Sequence, residues 1–225
     1  MCNHYKPGDD PEAFEVAVME MLARVLTEPR KEQTDMWPKR DAPIVYLRED
    51  GPVLDRMRWG VAVSIRGKTS YVTNARNDKL LSSFTWKFAV RERRCLIPAR
   101  GYFEPGTGPT GARGELYFTL KNRPRFYFAG LWDTDRDELG TRAFAMVTTE
   151  PNAYAARFHD RMPVVLSDAD AKVWLGDKSL PDDQLLALCR PLPDDVMQHS
   201  EISATPREKK ITKADLKQDD GGLLF

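Results

Sequence analysis

The stretch RCLIPARGYFEP (residues 94–105) is rich in branched and aromatic side chains, which is typical of a β-strand. Three similar segments follow it, namely ELYFTLK (115–121), RFYFAGLWD (125–133) and RAFAMVTTEP (142–151). Loops rich in glycine or charged residues separate these segments. Consecutive strands of this kind favour antiparallel pairing. The sequence therefore predicts an α+β domain built on an antiparallel, barrel-like sheet with peripheral helices.

Further strand-like segments precede this run, and helical patterns lie towards both ends of the chain. The additional strands are expected at IVYLRE (44–49), VLDRMRWGVAVSI (53–65) and SYVTNAR (70–76). Helices are expected at residues 9–28, 152–159, 167–175 (with Ser167 as N-cap) and 182–188, and a loop at 29–43. Residues 78–90 show only partial helical periodicity. Strands thus come in runs and do not alternate with helices.

The composition favours a single domain with no membrane span. The chain has 225 residues, of which 41% are hydrophobic, and its 34 basic side chains equal its 34 acidic ones. We expect a domain at residues 1–200 and a polar tail at 201–225. Zero net charge argues against a general coating of nucleic acid, although it permits a local basic groove. Without an apolar run of bilayer length or a signal peptide, a cytoplasmic location is expected.

The spacing of cysteine and histidine argues against a disulfide framework or a metal centre. There are three residues of each type and no CxxC or HExxH pattern, at positions Cys2, Cys95, Cys189, His4, His159 and His199. We therefore expect neither a metal nor an organic cofactor.

Cys2 stands directly after the initiator methionine. If Met1 is removed, Cys2 carries an α-amino group with a pKa of about 8 and a thiol with a pKa of about 8.5. The amine can form a Schiff base with an aldehyde, and the thiol can close on the imine carbon to form a thiazolidine ring. The alternative is a chance cysteine in a frayed terminus.

Two further side chains have the chemistry of proton transfer. His159, in FHDRMPVVL, precedes an apolar strand, and its ordinary pKa of about 6.5 suits a general acid or base. Glu104 emerges from the apolar segment 94–105, where burial would raise its pKa. The alternatives are a histidine bonded to nearby backbone and a glutamate on the solvent face of an edge strand.

Residues 74–100 combine polar and basic groups that suit nucleic acid. Asn74 and Arg76 are two residues apart on a strand and face the same side, where they could hold a phosphate or a sugar. The segment 76–100 has seven basic side chains and two acidic ones, interleaved with three aromatic residues. This pattern fits a groove for single-stranded nucleic acid. The alternatives are an ordinary strand exit and a solvated face over buried aromatic residues.

The order of these segments resembles the SRAP (SOS response-associated peptidase) family. The resemblance rests on Met1-Cys2, APIVYLRE, MRWG, TNARND, RRCLIPARGYFEP, FAGLWD, MVTTEPN and FHDRMPVVL, which run from residue 1 to about residue 166. It implies an abasic-site processing protein of the DNA damage response that acts on single-stranded DNA. It also implies a lyase activity and removal of the protein's own N-terminal residue.

The resemblance assigns roles to individual residues. Cys2 matches the nucleophile, Asn74 the residue that holds the Cys2 end and the sugar, Glu104 the proton-transfer group and His159 the group that supports ring opening, strand cleavage and crosslink reversal. DNA contacts are expected at His4, Arg76, Lys79, Trp59 and Arg161. The expected partner is abasic single-stranded DNA, bound by a monomer that associates with the nucleoid when it is on DNA.

The chain departs from the family pattern near its start. The family commonly begins Met-Cys-Gly-Arg, whereas this chain has Asn3 and His4, and Pro105 follows Glu104 where tryptophan is frequent. The stretch VAVSIRGKTSYV (61–72) lacks the proline and tryptophan that the family often has there, so a wedge between bases would be reduced or would come from Trp59 or Tyr71. Two other functions stay open: a thiol peptidase that pairs Cys2 with His159, and a DNA-binding module without catalysis.

Overall fold

The structure is a computed structural model that describes residues 4–7, 35–48, 51–65, 67–107, 113–134, 140–176 and 180–202. Within these ranges the chain is mostly β-strand. The strands are β1 (His4–Pro7), β2 (Asp41–Arg48), β3 (Gly51–Trp59), β4 (Val61–Ile65), β5 (Lys68–Val72), β6 (Asn74–Arg76), β7 (Arg94–Thr107), β8 (Arg113–Leu120), β9 (Phe126–Thr134), β10 (Arg142–Thr149), β11 (Met162–Pro163), β12 (Val165–Leu166) and β13 (Met197–Ile202).

Strands β2, β3, β10, β9 and β7 pair in a closed ring. Neighbours are β2 with β3, β3 with β10, β10 with β9, β9 with β7, and β7 again with β2. All of these pairs are antiparallel except that of β3 with β10. The expected α+β class with a barrel-like sheet is therefore confirmed.

Strand β7 is the longest strand and joins two parts of the sheet. Its first half pairs with β9 and β2, and its second half lies between β1 and β8. A Cβ at Gly101 would lie 2.4 Å from the ring of Tyr117 and 2.5 Å from the carbonyl oxygen of Phe118. Only glycine fits at this position, where β8 packs closely against β7, the strand that carries Glu104.

The helices of the described ranges are short and lie against the sheet. They are α1 (Ala89–Glu92), α2 (Asp168–Gly176) and α3 (Asp182–Leu188), with 3-10 turns at Asn77–Lys79, Ala155–Arg157 and Asp194–Val196. Ser167 accepts a hydrogen bond on Oγ from the backbone N–H of Asp170 (3.0 Å), so the predicted N-cap is confirmed. Trp174 of α2 is fully buried and donates its indole N–H to the carbonyl of Cys95 (3.1 Å), which fixes α2 on β7.

Several local expectations differ from the structure. The segment 53–65 forms two strands because Gly60, with a φ of 122°, bends the chain between β3 and β4. The polar strands β1 and β13 were not expected, and both form by pairing with longer neighbours, β7 and β8. The predicted helix at 9–28 lies outside the described residues. Of the tail predicted at 201–225, the first two residues belong to β13, and the rest lies outside the described residues. No helix in the described part of the chain is long and apolar enough to cross a membrane.

Candidate active site

Glu104 is a buried carboxylate on β7, opposite Leu116 of β8 and next to the position where β1 enters the sheet. Its side chain is 2% exposed. No hydrogen bond from any described residue reaches either carboxylate oxygen. Burial of Glu104 was the prediction and is confirmed, and the alternative of a glutamate on the solvent face is wrong.

Burial, with a smaller contribution from the nearby carboxylate of Asp160, raises the pKa of Glu104 to about 7. A carboxyl group with this pKa is partly protonated and partly ionised near neutral pH. It can therefore both donate and accept a proton without a large free-energy penalty.

The short strand β6 carries Asn74, which is buried, and Arg76, which is exposed. Asn74 is buried and donates from Nδ2 to Thr73 Oγ1 (3.2 Å). Arg76, at the exposed end of β6, donates to both carboxylate oxygens of Asp78 at 3.0 and 3.1 Å. A phosphate would have to compete with Asp78 for this guanidinium, although an exposed ion pair of this kind is worth little in water.

His159 follows the 3-10 turn Ala155–Arg157 and precedes β11. Its Nδ1 accepts the backbone N–H of Arg161 (3.0 Å), which places the proton of the neutral ring on Nε2. Asp160 Oδ1 lies 2.9 Å from the same Nδ1 and can pair with the protonated ring. Burial lowers the pKa of His159. Each protonation state thus has a partner, which suits a group that gains and loses a proton.

Asn77 and Arg161 connect β6 with the segment that carries His159. Arg161 is buried and donates from Nη2 to Asn77 Oδ1 (2.7 Å) and to the carbonyl of Thr148 (2.5 Å). Asn77 in turn donates to Thr149 Oγ1 (3.1 Å) and Glu150 Oε2 (3.2 Å). Asn77 and Glu150 could not be singled out from the sequence, because their contacts join residues more than 70 positions apart and leave no local pattern.

The structure thus brings three of the predicted catalytic residues to one region of the sheet. Asn77 and Arg161 tie the β6 segment of Asn74 to that of His159, and Asp160 acts electrostatically on Glu104. Cys2 lies outside the described residues. The strand that follows it begins at His4, which pairs with Phe103, the residue before Glu104.

His4 and Trp59 are not available for the DNA contacts expected of them. The ring of His4 is 4% exposed and lies between the rings of Trp37 and Phe103, so it offers no surface to a phosphate. Trp59 is 0% exposed, and its indole N–H donates to the carbonyl of Thr73 (2.9 Å). Trp59 belongs to the core because β3 turns this side chain inward. Tyr71 remains exposed on β5 as the alternative wedge.

The basic segment 76–100 does not form one continuous cationic row. Arg94 is buried and donates to the carbonyls of Trp174 and Val90, so it serves the fold. Arg91 and Arg93 pair with acidic side chains from other elements. Lys79 is exposed beside Arg76. Lys87 is exposed as well, over the ring of Phe84, so the exposed cations of the segment are not confined to the end near β6.

The aromatic residues of the segment 76–100 also differ in exposure: Trp86 is buried, while Phe84 and Phe88 are exposed.

Among the described residues no group of three or more His, Cys, Asp or Glu side chains is arranged to hold a metal ion. Glu104 and His159 are two groups of this region whose surroundings suit proton transfer.

Comparisons with known proteins show which family and which relatives the chain is similar to. A model of the SOS response associated peptidase (SRAP) family matches residues 1–206. The chain is 29% identical over 168 residues to the abasic site processing protein YoqW of Bacillus subtilis, covering 72% of this chain and 75% of that protein. It is also 29% identical over 166 residues to the abasic site processing protein YobE of the same organism, covering 72% and 76%.

Solved structures share the fold. A protein from Bordetella bronchiseptica superposes with a TM-score of 0.71 at 23% identity, covering 90% of this chain and 100% of that one. A protein from Bacteroides thetaiotaomicron gives a TM-score of 0.69 at 21% identity, covering 90% and 93%. These likenesses concern the fold alone.

Proposed function

Because the chain belongs to the SOS response associated peptidase family, we propose that it processes abasic sites in single-stranded DNA and bonds to them covalently through Cys2. The observation that carries the proposal is Glu104, a buried carboxyl group with a pKa of about 7 beside the strand that follows Cys2. The relatives YoqW and YobE are both named as abasic site processing proteins, which supports the same substrate class.

The proposed reaction joins one aldehyde to the amine and thiol of one residue. The α-amine of Cys2, exposed when Met1 is removed, attacks the aldehyde carbon of the ring-opened abasic sugar. The resulting carbinolamine loses water to give an imine. The thiol sulfur then bonds to the imine carbon, and its proton passes to the nitrogen. One thiazolidine ring and one water molecule result, with no oxidant or metal required.

Glu104 and His159 supply and remove the protons in these steps. Protonated Glu104 donates to the carbinolamine oxygen as water leaves, and the ionised form accepts the proton that the amine releases on attack. His159 serves ring opening and crosslink reversal, since it has a partner in both protonation states. If the imine instead loses a proton from the adjacent sugar carbon, the 3′-phosphate is expelled and the strand is cut. This elimination is the proposed lyase reaction.

The same groups are proposed to release Met1. Water adds to the carbonyl of the Met1–Cys2 peptide bond, and the bond breaks to give free methionine and the amine of Cys2. Single-stranded DNA is proposed to lie along the β6 end of the site. There Arg76 and Lys79 are exposed to phosphates. Arg161 is buried and bonded to Asn77 and the carbonyl of Thr148, so it supports β6 from the protein side.

A denaturing gel with a single-stranded oligonucleotide that has one abasic site tests the proposal. Wild type should give a shifted band without borohydride. Cys2→Ala keeps the amine and loses the thiol, so its adduct should survive only after borohydride reduction. A version with a glycine inserted between Met1 and Cys2 keeps the thiol but moves the amine, and it should give no stable band.

The other functions make different predictions in the same assay. A thiol peptidase that pairs Cys2 with His159 would tolerate the inserted glycine and give no DNA adduct. A DNA-binding module without catalysis would bind the oligonucleotide reversibly, and Cys2→Ala would change nothing. Either pattern would reject the covalent mechanism.

A further inference from the structure

His4 is the centre of a column of aromatic rings that joins four segments of the chain. Its imidazole stacks on Trp37 with a centroid distance of 3.8 Å and an interplanar angle of 16°, and on Phe103 at 3.6 Å and 12°. The column continues from Phe103 to Tyr117 of β8 at 4.7 Å. The N-terminal strand is thereby held to β7 by a side chain as well as by its backbone.

Two carboxylates face the two nitrogens of the same ring. Asp35 Oδ2 lies 3.3 Å from Nε2, and Glu115 Oε1 lies 3.5 Å from Nδ1. Both carboxylates are partly exposed, at 38% and 40% of the side chain. The ring therefore has a polar partner at each nitrogen, while its two faces are covered by rings.

The register of β1 connects this column with the proposed reaction. His4 pairs with Phe103, the residue that precedes Glu104 in the same strand. Two residues of extended chain span at most about 7 Å, so the Cα of Cys2 stays within that distance of the Cα of His4. Whatever holds His4 in place therefore limits how far the amine of Cys2 can move from Glu104.

We propose that His4 is a positioning residue, which docks β1 by inserting its ring between Trp37 and Phe103 and so keeps Cys2 near Glu104. The inference rests on the proposed function for its catalytic consequence, but the docking itself does not. It replaces the expectation that His4 contacts DNA. A buried ring with two covered faces and a carboxylate at each nitrogen presents nothing to a phosphate.

Hydrogen exchange measured by mass spectrometry tests the docking independently of any reaction. His4→Ala should speed exchange of the backbone amides at residues 4–6 by about tenfold, since two stacked pairs are lost. Peptides from β9 and β10 should exchange as in wild type. His4→Phe keeps the stack and should exchange close to wild type, whereas His4→Gln keeps polar groups without a ring and should resemble His4→Ala. Unchanged exchange in His4→Ala would overturn the proposal.

Crosslinking and binding then separate positioning from DNA contact. His4→Ala should form the adduct about tenfold more slowly, and His4→Phe should restore the rate. Affinity for the same oligonucleotide with a reduced, aldehyde-free abasic site should stay unchanged in both variants. Weaker binding with a shallower salt dependence in His4→Ala would show a DNA contact and overturn the proposal. If wild type gives no adduct, the proposed function fails, while the exchange experiment still decides the role of His4.

Discussion

Replacing Glu104 by glutamine should make stability less dependent on pH. The folded protein holds this carboxyl group with a pKa of about 7, against an ordinary value of 4.5 for an exposed glutamate. Between these values the unfolded chain has released a proton that the folded chain keeps, so the free energy of unfolding falls as pH rises. The contribution is fully present below pH 4.5 and is lost as pH rises through 7. The lost stability between pH 5 and pH 8 amounts to about 2.5 kcal/mol.

Urea denaturation of wild type and Glu104→Gln at pH 5, 6, 7 and 8 measures this difference. A buried amide has a cost of its own, but that cost is the same at every pH, so the slope and not the offset carries the test. The gap in unfolding free energy should shift in favour of Glu104→Gln by about 2.5 kcal/mol over this range. Glu201→Gln, on the exposed face of β13, is the matched control and should follow wild type. Parallel curves for wild type and Glu104→Gln would refute a raised pKa and remove the basis for proton transfer by this residue.

Three other substitutions test the fold and the site. Gly101→Ala should destabilise the protein by about 3 kcal/mol in urea denaturation, because the added methyl group meets Tyr117 and the backbone of Phe118. Asn77→Ala should cost about 2 kcal/mol by the same method, since buried Arg161 loses one of its two described acceptors. It should also weaken binding of single-stranded DNA, because the bond between Asn77 and Arg161 supports the segment that carries Arg76 and Lys79; unaltered binding would show that this segment does not need the bond. Trp59→Phe should lower stability by about 2 kcal/mol and leave DNA affinity unchanged in a fluorescence anisotropy titration; the reverse pattern would restore Trp59 as a DNA contact.

The parts of the fold that depend on local pattern could be predicted. The segment 94–105 has an apolar composition that already indicates a strand, and β7 extends it by only two residues, to Thr107. Helix α3 begins and ends at the predicted residues, and the side chain of Ser167 caps α2 as expected. By contrast, the sequence HYKP of β1 is polar and has no strand signal. It becomes a strand because β7 offers a free edge, which is a non-local effect.

The site residues, too, could be predicted where local sequence decides their surroundings and could not where distant contacts do. Glu104 could be picked out because apolar neighbours flank it in the sequence, and such neighbours predict burial. The burial of His4 and Trp59 could not be predicted, because the alternation of β3 and the ring column around His4 are set by strand pairing. Asn77 and Glu150 went unnoticed because their contacts join residues that are far apart in sequence.

Intact-protein mass spectrometry tests the covalent role of Cys2 most directly. Wild-type protein is incubated with a single-stranded oligonucleotide that has one abasic site, and the mixture is denatured without borohydride. The account predicts a species whose mass equals the protein without Met1 plus the oligonucleotide less one water, and it predicts that Cys2→Ala gives no such species. An unmodified protein mass, from a preparation that has lost Met1 and still binds the oligonucleotide, would contradict it.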